Sequence, residues 1–147
     1  RRDEPSHRST CGSGPMIGID TNVVVRYIMQ DDPRQSAQAT RFMESLTSAA
    51  PGFLSHVVLV ELVWVLSSAY DLSRDEVTQV LEQVLQTKEV IVERADVVSR
   101  AVRQFKSSSA DLADCLIAGI AMHAGCEQTV TFDKGAAKSA GMRLLST

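Results

Sequence analysis

Residues 16–28 read MIGIDTNVVVRYI, an apolar run that ends at an aspartate and continues without a break into a segment of helical spacing. The run over residues 16–19 has the length of a short buried strand, and the apolar positions after Thr21 recur at the interval of an amphipathic helix. A strand that passes directly into a helix is the first half of a βαβ unit. This stretch therefore predicts an α/β domain with a mostly parallel sheet.

The rest of the chain repeats this alternation of short apolar runs and longer helical segments. Asp32 and Pro33 form a helix cap and first turn, with Gln35 placed as in a capping box, and Ser73 and Glu76 form a second such box. Further helices are predicted over residues 56–70, 98–105, 111–124 and 134–139, and further strands over residues 53–54, 89–92, 128–132 and 142–145. The valine-rich helix, residues 56–70, is expected to be buried. Together these elements predict a three-layer α/β domain in which helices flank the sheet.

The composition is that of a single globular domain of 147 residues, with 44% hydrophobic and 22% charged residues. The formal net charge of -3 excludes a global electropositive field, so nucleic acid would have to be bound through a local basic rim or a metal. Three cysteines without a CxxC pair argue against a disulfide framework or a thiolate zinc site. We therefore expect a reducing, cytoplasmic environment.

Two further features concern membranes and the N-terminal residues. No run approaches the ~20 uninterrupted apolar residues of a membrane helix, and the most apolar one contains Glu61. Residues 1–15 are polar and lack both periodicity and the apolar core of a signal peptide, so we expect a disordered leader or a cloning remnant. Residues 16–147 are the predicted domain, with 12 Lys and Arg against 16 Asp and Glu.

Five acidic residues follow the predicted strands or lie in the helices after them. Asp20 and Asp133 each stand directly after a strand, Asp111 and Asp114 lie in the first turns of one helix, and Glu61 lies inside the valine-rich helix. Ligands of open parallel sheets bind beyond the carboxyl ends of the strands. All five side chains are therefore expected on one side of the sheet.

Each of these residues also has a purely structural interpretation. Asp20 and Asp133 can cap the helix that follows, and Asp111 can be stabilised by the helix dipole. Asp114 lies three residues further on, on the face of Asp111. Glu61 has only apolar neighbours, which predicts a carboxylate that is at least partly buried and either paired with an arginine or bound to a metal.

Carboxylates that converge without interleaved cations repel one another unless they are protonated or hold a cation. Oxygen ligands of this kind suit Mg²⁺ or Mn²⁺. Such sites most often hydrolyse phosphodiesters, with the carboxylates acting as metal ligands rather than as nucleophiles.

Three segments carry a family resemblance: IDTNVVVRYI at residues 19–28, SHVVLVELVWVLSSAYDLSRDEV at residues 55–77, and ADLADCLIAGIAMHAGCEQTVTFDK at residues 110–134. Together they resemble a PIN domain, in particular the VapC toxins of bacterial type II toxin-antitoxin pairs. The resemblance implies a Mg²⁺- or Mn²⁺-dependent endoribonuclease, usually a homodimer, that is silenced by a cognate antitoxin protein.

The resemblance also implies roles for particular residues. The family's acidic positions fall on Asp20, Glu61, Asp114 and Asp133, with Asp111 as an auxiliary ligand or metal-water contact. Asn22 and Thr131 match polar residues beside the first and last aspartates and are expected to orient carboxylates or water. Arg26, Lys134 and Lys138 lie near the motifs and are candidate phosphate contacts, although a basic side chain on a helix is usually only solvated.

Three other interpretations stay open. A haloacid-dehalogenase-like phosphatase would need an acid at position 22, where this chain has Asn22. A receiver-type phospho-acceptor would leave Glu61 without a role. A catalytically inactive PIN-like adaptor that only binds RNA or protein would be indifferent to substitution of Asp20 or Asp114.

Overall fold

The computed structural model describes residues 15–146, which form five strands and seven helices in alternation. In chain order they are β1 (Ile17–Gly18), α1 (Thr21–Met29), α2 (Pro33–Ser45), β2 (Gly52–Leu54), α3 (His56–Ser68), α4 (Arg74–Gln86), β3 (Val90–Val92), α5 (Ala95–Ser107), α6 (Leu112–His123), β4 (Val130–Thr131), α7 (Lys134–Ser139) and β5 (Arg143–Leu144). The predicted α/β class is confirmed. The predicted leader, residues 1–15, lies outside the described residues except for Pro15, which is exposed.

Every strand pair is parallel, as predicted, and the strands are distributed over two sheets. The first sheet has the order β1-β2-β3, with Ile17 opposite Gly52 and Gly52 opposite Val90. The second sheet consists of β4 and β5, with Val130 opposite Arg143. Each strand has only two or three residues. Four of the five are shorter than the apolar runs of the sequence predicted, whereas β2 is one residue longer than predicted.

The described residues divide into two compact units. The first comprises the chain up to Leu62 together with Gln86–Glu93, and the second comprises Val63–Leu85 and the chain from Arg94 onward. The first unit therefore holds the three-stranded sheet with α1 and α2. The second holds the two-stranded sheet with α5, α6 and α7.

In the first unit, α1 and α2 pack against each other and are joined by polar contacts as well. Asp32 caps α2 by accepting a hydrogen bond from the main-chain N–H of Gln35 (3.0 Å), with Pro33 in the first turn. The predicted capping box is not completed. Oε1 of Gln35 instead accepts a hydrogen bond from Nε of Arg26 (2.8 Å), which ties α2 to α1.

In the second unit, local capping signals are confirmed. The main-chain N–H of Ser73 donates to Oε1 of Glu76 (2.8 Å), and the N–H of Glu76 donates to Oγ of Ser73 (3.1 Å), so α4 begins with the reciprocal box that the sequence predicted. The apolar stripe of α5 is buried as predicted and packs against α6. Its buried residues are Val97, Val98, Ala101, Val102 and Phe105.

Arg74 at the start of α4 fixes the loop that leads into α6. Its Nη2 donates to the main-chain carbonyls of Ser108 (3.0 Å) and Ala110 (2.9 Å), and its guanidinium lies 3.8 Å from the ring centre of Phe105. Hydrogen bonds from a charged donor are stronger than neutral ones. Arg74 therefore positions the residues immediately before Asp111.

The valine-rich helix α3 confirms the predicted helix but not its predicted burial. Leu59, Leu62 and Leu66 are buried, whereas Val57 and Trp64 are 68% and 69% exposed. Apolar residues cover both sides of this helix, so hydrophobicity alone does not say which side faces the core. Within residues 15–146, no helix has the length and apolarity needed to cross a membrane.

Candidate active site

Thr21 links two of the predicted catalytic carboxylates in the first unit. Its main-chain N–H donates to Oδ1 of Asp20 (2.8 Å), and its hydroxyl donates to Oε1 of Glu61 (2.6 Å). Asp20 is held there because it caps α1 directly after β1, and Glu61 extends from the middle of α3. Thr21 is only 6% exposed, so water competes little for its hydroxyl. One residue therefore restrains both carboxylates.

Glu61 is exposed as a residue, and the predicted burial of its carboxylate is limited to the partly buried contact between its Oε1 and the hydroxyl of Thr21. It lies four residues after Val57 and three before Trp64, on the exposed side of α3. The apolar neighbours that suggested burial are divided between the two sides of the helix. Within the described part of the chain, Glu61 forms no ion pair, so nothing there supports its alternative role as an arginine partner.

Three of the five acidic residues cap helices, and each uses only one carboxylate oxygen for the cap. Asp20 caps α1, Asp111 caps α6 by accepting from the N–H of Ala113 (3.4 Å), and Asp133 caps α7 by accepting from the N–H of Gly135 (2.7 Å). In each case Oδ2 accepts no hydrogen bond from a described residue. The capping interpretation and the ligand interpretation are therefore compatible, since a cap orients the carboxylate and leaves an oxygen available.

Asp114, in the first turn of α6, is half-buried and has no hydrogen-bond partner among residues 15–146. Burial raises the pKa of this carboxyl above its usual value of 3.8, and the negative charges of Asp111 and Asp133 raise it further. All three residues belong to the second unit. A nearby cation would reverse this shift, because opposite charge favours the ionised form.

The acidic residues are not already arranged as a complete metal cage. Among the residues that the structure describes, no three His, Cys, Asp or Glu side chains are grouped so that they could hold an ion. Mg²⁺ requires oxygen ligands at ~2.0–2.1 Å. The electrostatic effect of Asp111 and Asp133 on Asp114 is therefore weaker evidence than a formed cage would be.

The predicted supporting residues differ in what they contact. The hydroxyl of Thr131 accepts a hydrogen bond from the main-chain N–H of Asp133 (3.0 Å), so it positions the main chain at the start of α7 rather than the carboxylate. Asn22 is exposed and forms no hydrogen bond with a described residue. Its predicted contact with a carboxylate or water stays a prediction.

The three predicted phosphate contacts also differ. Lys134 and Lys138 on α7 are exposed, and neither forms an ion pair within the described residues. Arg26 is half-buried between Gln35 and Asp31, whose Oδ1 lies 3.5 Å from its Nη1. Arg26 is therefore held in place by its own unit, whereas the two lysines are open to solvent.

Thr21 is a contact of two candidate carboxylates that the sequence did not predict. Its position in IDTN, between the capping aspartate and Asn22, was the available signal. The contact partner Glu61 lies 40 residues away, and local pattern says nothing about a hydrogen bond over that separation.

We expect Thr21→Val to lower the free energy of unfolding by about 1 kcal/mol, because a hydrogen bond to a charged acceptor is lost while the shape of the side chain is kept. Urea-induced unfolding measures the change. Thr40→Val is the control, since the hydroxyl of Thr40 only accepts an exposed hydrogen bond from Nε2 of Gln30 (3.0 Å). Equal losses in the two variants would contradict the special role of Thr21.

Comparison with known proteins found one matching family model and a similar curated protein. The family model described as the PIN domain matches residues 17–141. A curated relative, a VapC ribonuclease from Aquifex aeolicus (strain VF5), is 22% identical over 116 residues, which cover 79% of this chain and 86% of that protein. All five acidic residues lie inside the matched segment.

Proposed function

Since the chain belongs to the PIN domain family, we propose that it is a Mg²⁺- or Mn²⁺-dependent endoribonuclease that cleaves RNA phosphodiester bonds as the toxin of a toxin-antitoxin pair. The observation that carries the proposal is the match over residues 17–141, which includes every predicted acidic position. The similarity to a VapC ribonuclease supports the nuclease and toxin assignments.

The proposed metal ligands are Asp20, Glu61, Asp114 and Asp133, with Asp111 as an auxiliary ligand. Carboxylate oxygens are the donors that Mg²⁺ and Mn²⁺ prefer. Two observations support metal binding at these residues. Oδ2 of each capping aspartate accepts no hydrogen bond from a described residue, and the raised pKa of Asp114 indicates negative charge that a cation would stabilise. When bound, a divalent ion supplies a hydroxide nucleophile at neutral pH and offsets charge on the phosphate.

The chain's own residues hold and orient these ligands. Thr21 fixes one oxygen of Asp20 through its main-chain N–H and one oxygen of Glu61 through its hydroxyl. Residues that orient metal ligands commonly affect metal affinity by ~10–100-fold. The exposed Lys134 and Lys138 are proposed to contact RNA phosphates, as is Arg26, because cationic side chains bind the backbone irrespective of sequence.

We expect Mn²⁺ to raise the melting temperature of the protein. A ligand that binds only the folded state stabilises it by RT ln(1 + [L]/Kd), about 2.7 kcal/mol when the ion is at 100 times its Kd. Differential scanning fluorimetry with millimolar Mn²⁺ or with EDTA measures the shift, and Asp114→Asn is expected to reduce it. A melting temperature that millimolar Mn²⁺ leaves unchanged would contradict the metal assignment.

The proposed partners are an RNA substrate, a cognate antitoxin protein and a second copy of the chain, in the cytoplasm. The second unit exposes large apolar side chains that support a protein contact, since exposed apolar surface often marks an interaction site. They are Trp64, Ile117, Ile120, Met122, Val130, Phe132 and Leu144. Sedimentation equilibrium of the purified chain tests the homodimer, which a purely monomeric species would contradict.

Incubation of a panel of structured RNAs with Mg²⁺, with Mn²⁺ and with EDTA tests the activity itself. Cuts that appear only with a divalent ion are the expected result. A folded protein that binds RNA and cleaves none of it under any of these conditions would favour the inactive adaptor.

A further inference from the structure

A cleft of about 460 Å³ opens in the first unit beside β1, between the first turns of α1 and one side of α2. Its size lies within the range of sites that hold small organic groups. Five polar side chains line it: Asp20, Asn22, Arg26, Gln35 and Gln38. The cleft therefore begins at a proposed metal ligand and continues along α2 away from it.

The amide groups in this cleft have hydrogen-bonding capacity to spare. Asn22 and Gln38 are exposed, and neither forms a hydrogen bond with any residue that the structure describes. Gln35 uses only Oε1, which accepts from Nε of Arg26, so its NH₂ group stays available. A primary amide offers donors and an acceptor in one plane, which is the arrangement that matches the edge of a nucleobase.

The remaining lining is apolar and includes a ring. Val23 and Phe42 are half-buried and Ala39 is buried, and all three contribute to the cleft wall. Apolar and aromatic surface covers the faces of unstacked bases in single-stranded RNA, while polar groups read their edges. A cleft that combines apolar walls with available amide groups fits a flat heterocycle with polar edges, and Arg26 in the same wall can contact the phosphate attached to it.

We propose that this cleft binds one unstacked nucleobase of the RNA beside the cleaved phosphate, with Gln38 and Phe42 determining sequence preference. The inference rests on the proposed endoribonuclease activity, because Asp20 both lines the cleft and is a proposed metal ligand. A base held here would be attached through its own backbone to the site of cleavage.

The first test measures which sequences are cut. An RNA library randomised around a mapped cleavage site is digested by the wild type, by Gln38→Ala and by Phe42→Leu, and the products are sequenced. We expect the preference at one position to fall about 10-fold in each variant, because the sequences that the wild type prefers are cut more slowly. Gln86→Ala is the matched control, since Gln86 is exposed at the end of α4 and does not line the cleft.

The outcomes separate the two proposals. A wild type that cleaves no RNA defeats the proposed function. A wild type that cleaves, with Gln38→Ala and Phe42→Leu showing the wild-type preference, overturns the nucleobase site alone.

A second test does not depend on cleavage. Asp114→Asn is photo-crosslinked to short oligonucleotides that carry a thiobase at each position in turn, and the tryptic peptides are identified by mass spectrometry. We expect one position to crosslink to the peptide of residues 35–41, which contains Gln35 and Gln38. Crosslinks that fall only outside residues 17–42 would overturn the proposal.

Discussion

RNA cleavage by Asp20→Asn is expected to fall at least about 10²-fold below that of the wild type, while the fold is kept. Asparagine caps a helix as well as aspartate does, so α1 retains the hydrogen bond from the N–H of Thr21. The substitution removes the negative charge with which Asp20 is proposed to bind the metal. Substituting a residue that merely orients a metal ligand typically lowers metal affinity or activity ~10–100-fold, so substituting a ligand itself should lower activity more.

Asp32→Asn provides the matched control for this prediction. Asp32 caps α2 as Asp20 caps α1, by accepting a main-chain hydrogen bond with Oδ1 (3.0 Å). It has no proposed part in metal binding, so we expect cleavage at the wild-type rate. Equal losses in the two variants would mean that removing the charge of any capping aspartate lowers the activity, and undiminished cleavage by purified Asp20→Asn would refute the assignment of Asp20.

Asp114→Asn is expected to lose cleavage to a similar extent and to gain stability at neutral pH. Burial, followed by repulsion from Asp111 and Asp133, raises the pKa of Asp114 in the folded state. A raised pKa means that the unfolded chain accommodates the charge better, so ionisation of Asp114 opposes folding. This penalty is absent below the unfolded pKa, grows as the pH rises toward the folded pKa, and is complete above it.

The melting temperature of Asp114→Asn, measured from acidic to neutral pH without divalent metal, tests this. The variant should exceed the wild type at pH 7, and the difference should vanish in acid, where the wild-type carboxyl is protonated in both states. A gain that stayed constant down to acidic pH would contradict the electrostatic explanation, and retained cleavage would remove Asp114 from the site.

Asp96→Asn supplies a control of opposite sign. Asp96 also lies in the first turn of a helix, α5. Slight burial raises its pKa, but the N–H of Val97 and the guanidinium of Arg94 outweigh that and leave the pKa lowered. Its charge therefore favours folding above the unfolded pKa, so Asp96→Asn should lower the melting temperature at pH 7 and leave cleavage unchanged.

Local signals in the sequence were sufficient for the order and type of the elements. Three such signals act over no more than three residues, and each begins a predicted helix: the aspartate before Thr21, the Asp32-Pro33 pair, and the reciprocal box of Ser73 and Glu76. The ends of the strands differ from the predicted ones, with four strands shorter and β2 one residue longer, because the main-chain pairing that sets these ends depends on distant residues.

Side-chain exposure and hydrogen bonds between helices could not be predicted from the sequence, because both depend on which side of each helix faces the core. The apolar neighbours of Glu61 predict a carboxylate that is at least partly buried, but they do not predict that Glu61 lies on the exposed side of α3 with Trp64, with burial limited to its contact with Thr21. Two hydrogen bonds join residues of different helices: Thr21 donates to Glu61, and Arg26 donates to Gln35, which then does not complete its cap. Short sequence patterns predict neither bond, because both form only when the helices pack.

The most direct test of the proposed nuclease site is end-mapped cleavage of structured RNA by the wild type, Asp20→Asn and Asp32→Asn, each with Mg²⁺, with Mn²⁺ and with EDTA. We expect discrete cuts by the wild type and Asp32→Asn that require a divalent ion, and none by Asp20→Asn. Cuts that persist in EDTA or in Asp20→Asn, or a folded wild type that cuts no RNA with either metal, would contradict the proposed site.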